Sequence, residues 1–197
     1  SAFFFFFNQV MMTPVVINMT DDNNDTFVDE NDVPDVIFAS FKGSSYNSPG
    51  VIHVISGDDG RELAGTAPIY HSSDDFGAAD IDGDGVPELI VSTATEIHAL
   101  SLVKDSSAPT GYTWNVKYKI AHGQSSVQRL YVSFANLEDD GIVDIVTSLG
   151  VLNVVDHALV WKEGCHTSLG RPAIADLNGD GVMEIINNYI FNNHCKR

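Results

Sequence analysis

A short acidic pattern, repeated along the chain, constrains this sequence more than any other feature. Residues 74 to 91 read DDFGAADIDGDGVPELIV, which sets Asp80, Asp82, Asp84 and Glu88 around Gly83 and Gly85. Carboxylates this close repel one another, so a folded loop that holds them needs a positive partner. A hard cation is the economical choice. Calcium takes about six to eight oxygen ligands, and loops supply them at alternate positions with glycine where the chain turns sharply. The ligand positions are then Asp80, Asp82, Asp84, the carbonyl of Val86, and Glu88.

The pattern recurs, and internal repetition of this kind governs architecture. Residues 173 to 186, AIADLNGDGVMEII, give Asp176, Asn178, Asp180, Val182 and Glu184 at the same spacing. Residues 133 to 146, SFANLEDDGIVDIV, give Asn136, Glu138, Asp140, Ile142 and Asp144. Each has a small or apolar run before it and a β-branched run after it, the signature of a loop between two short strands. A fourth copy is stretched. In VVINMTDDNNDTFVDENDVPDVIF (residues 15 to 38) the entering strand is followed by an insertion with its own EF-hand-type spacing: Asp21, Asn23, Asp25, Phe27 (carbonyl), Asp29 and Asp32. Thr26 stands where that loop expects glycine, so it must tolerate a left-handed backbone, and the closing glutamate is the shorter Asp32. The repeats imply about three to four calcium ions.

The 197 residues suffice for one domain with a real core. Ten basic against 27 acidic side chains, net −17, exclude nucleic acid and anionic membranes as expected partners. Much of the acidic excess is gathered in the loops, so stability should depend on the bound ion. No apolar run is long enough for a transmembrane helix. Two readings compete for Cys165 and Cys195: a disulfide pinning the last segment, which suits an extracellular protein, or two buried thiols.

The strand signals predict an all-β chain built as a β-propeller of about four short antiparallel blades with calcium-binding loops, over residues 12–197. VIFASF, VIHVIS and RELAG follow the first loop; LIVST, IHALSL and WNVKYKI the second; IVTSL, VLNVVD and ALVW the third. The last unit lacks a strand. Residues 1–11 form a separate apolar segment in which Phe3, Phe4, Phe5, Phe6 and Phe7 suit a strand buried on both faces, closing its own ring or donated to a neighbour's sheet. The same segment also reads as the tail of a processed export signal.

These loops resemble the FG-GAP or VCBS-type repeats, the calcium-binding blades of integrin-like and microbial surface β-propellers. The resemblance rests on DFGAADIDGDGVPELIV, RPAIADLNGDGVMEII and TDDNNDTFVDENDVPDVIF. It implies an extracellular or cell-surface propeller whose ions stiffen loops and whose partners are proteins or carbohydrates. Two functions follow as expectations, an adhesion or binding module and a filament subunit assembled through residues 3–7, with a polysaccharide lyase well behind them. None of the seven histidines lies in a catalytic motif, so no enzyme activity is expected. Sequons at Asn18 and Asn24 mark possible glycosylation, and Tyr112, Trp114 and Trp161 are candidate face aromatics that core packing explains equally well.

Overall fold

The computed structural model describes residues 7–44, 49–72, 74–121, 130–137, 142–148, 150–153, 158–161 and 171–186. Among these residues all regular structure is β, and every strand pairing within the named sheets is antiparallel. No helix long and apolar enough to cross a membrane is found among them.

The first sheet runs in chain order through β1 (Val15–Ile17), β2 (Asp35–Ser40), β3 (Pro49–Ile55) and β4 (Glu62–Gly65). The short β5 (Tyr70–His71), which the sequence does not signal, pairs with the start of β3. The second sheet is β6 (Gly77–Ala79), β7 (Glu88–Ser92), β8 (Glu96–Lys104) and β9 (Tyr112–Ala121). The third is β10 (Val132–Ala135), β11 (Asp144–Thr147), β12 (Gly150–Asn153) and β13 (Ala158–Trp161), and the fourth comprises β14 (Ala173–Ala175) and β15 (Glu184–Ile186).

One register is used four times. The residue before each acidic loop pairs with the acid that ends it: Ile17 with Asp35, Ala79 with Glu88, Ala135 with Asp144 and Ala175 with Glu184. The sheets are stacked in chain order, with β1 against β6, β6 against β10 and β10 against β14.

Period-two alternation explains how one strand serves two interfaces. All five residues of β7 are buried, because Leu89 and Val91 enter the core between the first and second sheets while Ile90 enters that between the second and third. The third core, between sheets three and four, contains Leu137, Val146 and Val151. Gly77 marks the closest approach between sheets. A Cβ there would lie 2.6 Å from a Phe134 ring carbon and 2.8 Å from a Val132 methyl, so only glycine lets β10 pack against β6.

Candidate metal centre

Each acidic loop leaves the first strand of a sheet and returns at the first residue of the second, and that residue is always the closing carboxylate. It folds back onto the amide of the loop's second residue. Glu88 accepts from Ile81 at 3.1 Å, Asp144 from Leu137 at 2.9 Å, Glu184 from Leu177 at 2.8 Å and Asp35 from Met19 at 3.1 Å. The second residue is apolar in every copy, and Met19, Ile81 and Leu137 are buried in successive sheet interfaces. Loop closure and sheet packing therefore share one residue.

The loop interior is organised by its first acid. Asp80 accepts from Gly83 at 2.7 Å and from Gly85 at 2.9 Å; Asp176 accepts from Gly179 at 2.7 Å and from Gly181 at 2.9 Å. These amides reach the carboxylate only because the fourth and sixth residues are left-handed, with φ of 77° and 87° in both loops. The Gly181 and Gly179 amides hold the Asp176 carboxyl below the usual range. The inserted loop adopts the same shape without glycine: Asn24 has φ 63° and Thr26 φ 82°, and Asp21 accepts from Asp25 at 3.1 Å and Thr26 at 3.2 Å. Its closer, Asp32, is buried, accepts from Asp29 at 2.9 Å and Asp22 at 3.1 Å, and is held below the usual range by those amides, Asp29's foremost.

Oxygen-only donor sets at alternate positions fit a hard cation. One oxygen each from Asp80, Asp82 and Glu88 lies within 4.8 Å of the others, the dimension of a small ion's ligand shell. Asn18, at the head of the first loop, has its Oδ1 buried without a donor among the described residues, an acceptor that a cation would satisfy. Asp80, Asp82, Asp84, Val86 and Glu88 make up the donor set of the second loop, and Asp176, Asn178, Asp180, Val182 and Glu184 the matching set that would hold an ion in the fourth. In the inserted loop Asn23, Asp25 and Phe27 are exposed, Asp21 and Asp29 half-buried. In the third loop Asn136 is half-buried, Ile142 exposed and Asp144 buried, whereas Glu138 and Asp140 lie outside the described residues.

Other expected residues are distributed as follows. Phe7 is half-buried, while Phe3, Phe4, Phe5, Phe6, Cys165 and Cys195 lie outside the described residues, as does the Trp161 side chain. Two residues after Phe7, Gln9 pairs with Phe41 in an isolated antiparallel bridge. Tyr112 and Trp114 pack against the first core. Asn24 is exposed; Asn18 donates its side-chain amide to the Asp29 carbonyl.

Three arrangements escape a sequence reading. Lys117 of β9 places its ammonium 2.5 Å from Asp82, 2.6 Å from Asp84 and 2.9 Å from Glu88. Asp74, fully buried, accepts from the Leu130 amide at 2.8 Å and from the Ser92 hydroxyl, tying two sheets together; burial pushes its carboxyl up to about 7. Ser40, His53 and Glu62 form a row across β2, β3 and β4, with Ser40 Oγ 2.7 Å from Nε2 and Glu62 2.6 Å from Nδ1. The row has the connectivity of a hydrolase triad, yet Ser40 is 2% and His53 1% exposed, so no substrate reaches the hydroxyl.

Fold and loops together define an all-β repeat protein of stacked antiparallel sheets, each with an acidic loop between its first two strands. No protein-family model matches the chain, and no curated protein sequence matches it. Among solved structures it is similar to the V. cholerae biofilm matrix protein Bap1, with a TM-score of 0.79 and 31% sequence identity over 95% of this chain and 30% of that one. The chain therefore spans less than a third of Bap1's length.

Proposed function

We propose that this chain is a calcium-stiffened, extracellular adhesion or matrix module whose sheets are consecutive blades of a β-propeller of the FG-GAP/VCBS type. The observation that carries the functional half is the likeness, along 95% of the chain, to a biofilm matrix protein. The metal half is supported by acidic loops that recur with the same register and left-handed glycines. The side-by-side first strands β1, β6, β10 and β14 are what a propeller places around its axis. A binding role is favoured over catalysis because, among the described residues, the serine and histidine of the Ser40–His53–Glu62 row are buried inside the first sheet. The partners are matrix carbohydrate or protein, met outside the cell.

The reading is tested by adding fluorescently labelled chain to a preformed polysaccharide-rich biofilm, in millimolar calcium and in excess chelator. Retention in calcium with release by chelator is expected. Washout under both conditions sinks the matrix role, and retention unaffected by chelator sinks the part given to calcium.

A further inference from the structure

Among the described residues the second and fourth loops share a backbone but not a cation. In the second, β8 and β9 fall out of step: Leu100 pairs with Val116 and Ala99 with Tyr118, which leaves Lys117 as the extra residue of a β-bulge. Bulges re-aim a side chain out of the ladder. Tyr112, Trp114 and Val116 pack toward the first core and Tyr118 and Ile120 toward the second, so the bulge is where β9 changes face. Lys117 leaves the strand at this point and reaches Asp82, Asp84 and Glu88 with a side chain 22% exposed. Tyr118 steadies Asp82 by donating to it at 3.0 Å.

In the fourth loop the corresponding place is taken by an uncharged group. The Asn178 side-chain amide donates to Asp180 at 3.0 Å and to Glu184 at 3.2 Å, bridging two of the three loop positions that the ammonium bridges in the second. That amide carries no charge, so an entering cation displaces only a neutral donor, while the Asn178 oxygen already accepts from the Asp180 backbone amide at 2.9 Å. Among the described residues the inserted loop has only Lys104 beside Asp21, at 3.7 Å and with the lysine 61% exposed.

We propose that Lys117 is the resident cation of the loop at 80–88, which is therefore held closed by its own ammonium without calcium, while the loop at 176–184 takes the ion. The inference rests on the calcium reading above and divides the repeats into two kinds. An ammonium with three carboxylate partners forms charge-assisted bonds that a metal must break before it can bind. The device gives the second sheet, at the middle of the stack, a stability independent of external calcium.

Calorimetric titration with calcium chloride on the full chain decides it, using wild type, Lys117→Met, Asp82→Asn and Asp180→Asn. The expected pattern is loss of one ion in Asp180→Asn, no loss in Asp82→Asn, and about one further ion in Lys117→Met. Acetylation of the wild type, followed residue by residue by mass spectrometry, avoids dependence on a variant's folding: Lys117 should react more slowly than exposed Lys119 at any calcium concentration. If Asp82→Asn loses an ion, or calcium speeds acetylation of Lys117, the proposal fails while the calcium reading stands. If Lys117→Met gains an ion although the wild type binds none, the assignment of Lys117 as resident cation stands and the part given to the fourth loop fails. No binding in any variant overturns both.

Discussion

Glu88 accepts the amide hydrogen of Ile81 at 3.1 Å, so the acid that starts β7 and the apolar residue that enters the next sheet interface are one hydrogen bond apart. The same carboxylate accepts from the Ser101 hydroxyl at 3.0 Å and pairs with Lys117, and burial pushes its pKa up against these contacts. Removing it strands three donors in a closed site. Glu88→Ala should lower the unfolding free energy by about 3 kcal/mol in urea titrations. Glu184→Ala should cost about 1 kcal/mol, because its partner Leu177 lies in an exposed loop. Equal losses would show that closure, not burial, sets the cost.

The contact of Gly77 with Phe134 gives a steric prediction. Gly77→Ala should cost about 1–3 kcal/mol, since its Cβ would meet the ring at 2.6 Å within a packed interface. Phe134→Leu should cost less in the Gly77→Ala background than alone, and a double-mutant cycle measures the difference. Strict additivity would mean the strands separate without repacking.

Asp74 should make stability depend on pH. Its carboxyl is pushed from 3.8 up to about 7 by burial, against hydrogen bonds from Ser92 and Leu130, with Asp75 raising it further. His71 stands 3.9 Å away and, when protonated, favours the charged carboxylate. A raised folded-state pKa means the native protein holds a proton that the unfolded chain releases, so the contribution is complete below about 3.8 and is lost as pH rises through about 7. Unfolding free energies of wild type relative to Asp74→Asn should fall across that window. Parallel profiles would show that Asp74 ionises as easily in the folded protein as in the unfolded chain.

The loops and most strands were legible because their signals are local. Alternating acids with glycine at the fourth and sixth positions specify a left-handed turn within a few residues, and the β-branched run after Glu88 announces a strand. What was missed joins distant parts of the chain. Lys117 lies 33 residues from Asp84, and Leu130 lies 56 from Asp74. Only the packing of sheets brings them together. The bulge that singles out Lys117 leaves no mark in YTWNVKYKIA, because a one-residue slip in pairing is a property of two strands and not of one.

Thr26 shows the limit of local rules from the other side. The spacing of the inserted loop demands a left-handed residue at its sixth position, and the chain supplies a β-branched one with φ 82° in place of the glycine found at Gly85 and Gly181. A left-handed backbone costs a residue with a Cβ about 1–2 kcal/mol, and glycine's freedom in the unfolded chain returns part of any gain. Thr26→Gly, in protein made without glycosylation, should therefore raise stability by about 1 kcal/mol while keeping the amide donated to Asp21. Asn24→Gly should gain less, since asparagine is the side chain best suited to the left-handed region. Denaturant midpoints measured in chelator isolate the backbone term from ion binding, and a Thr26→Gly midpoint at or below that of the wild type would mean that Thr26 carries no strain.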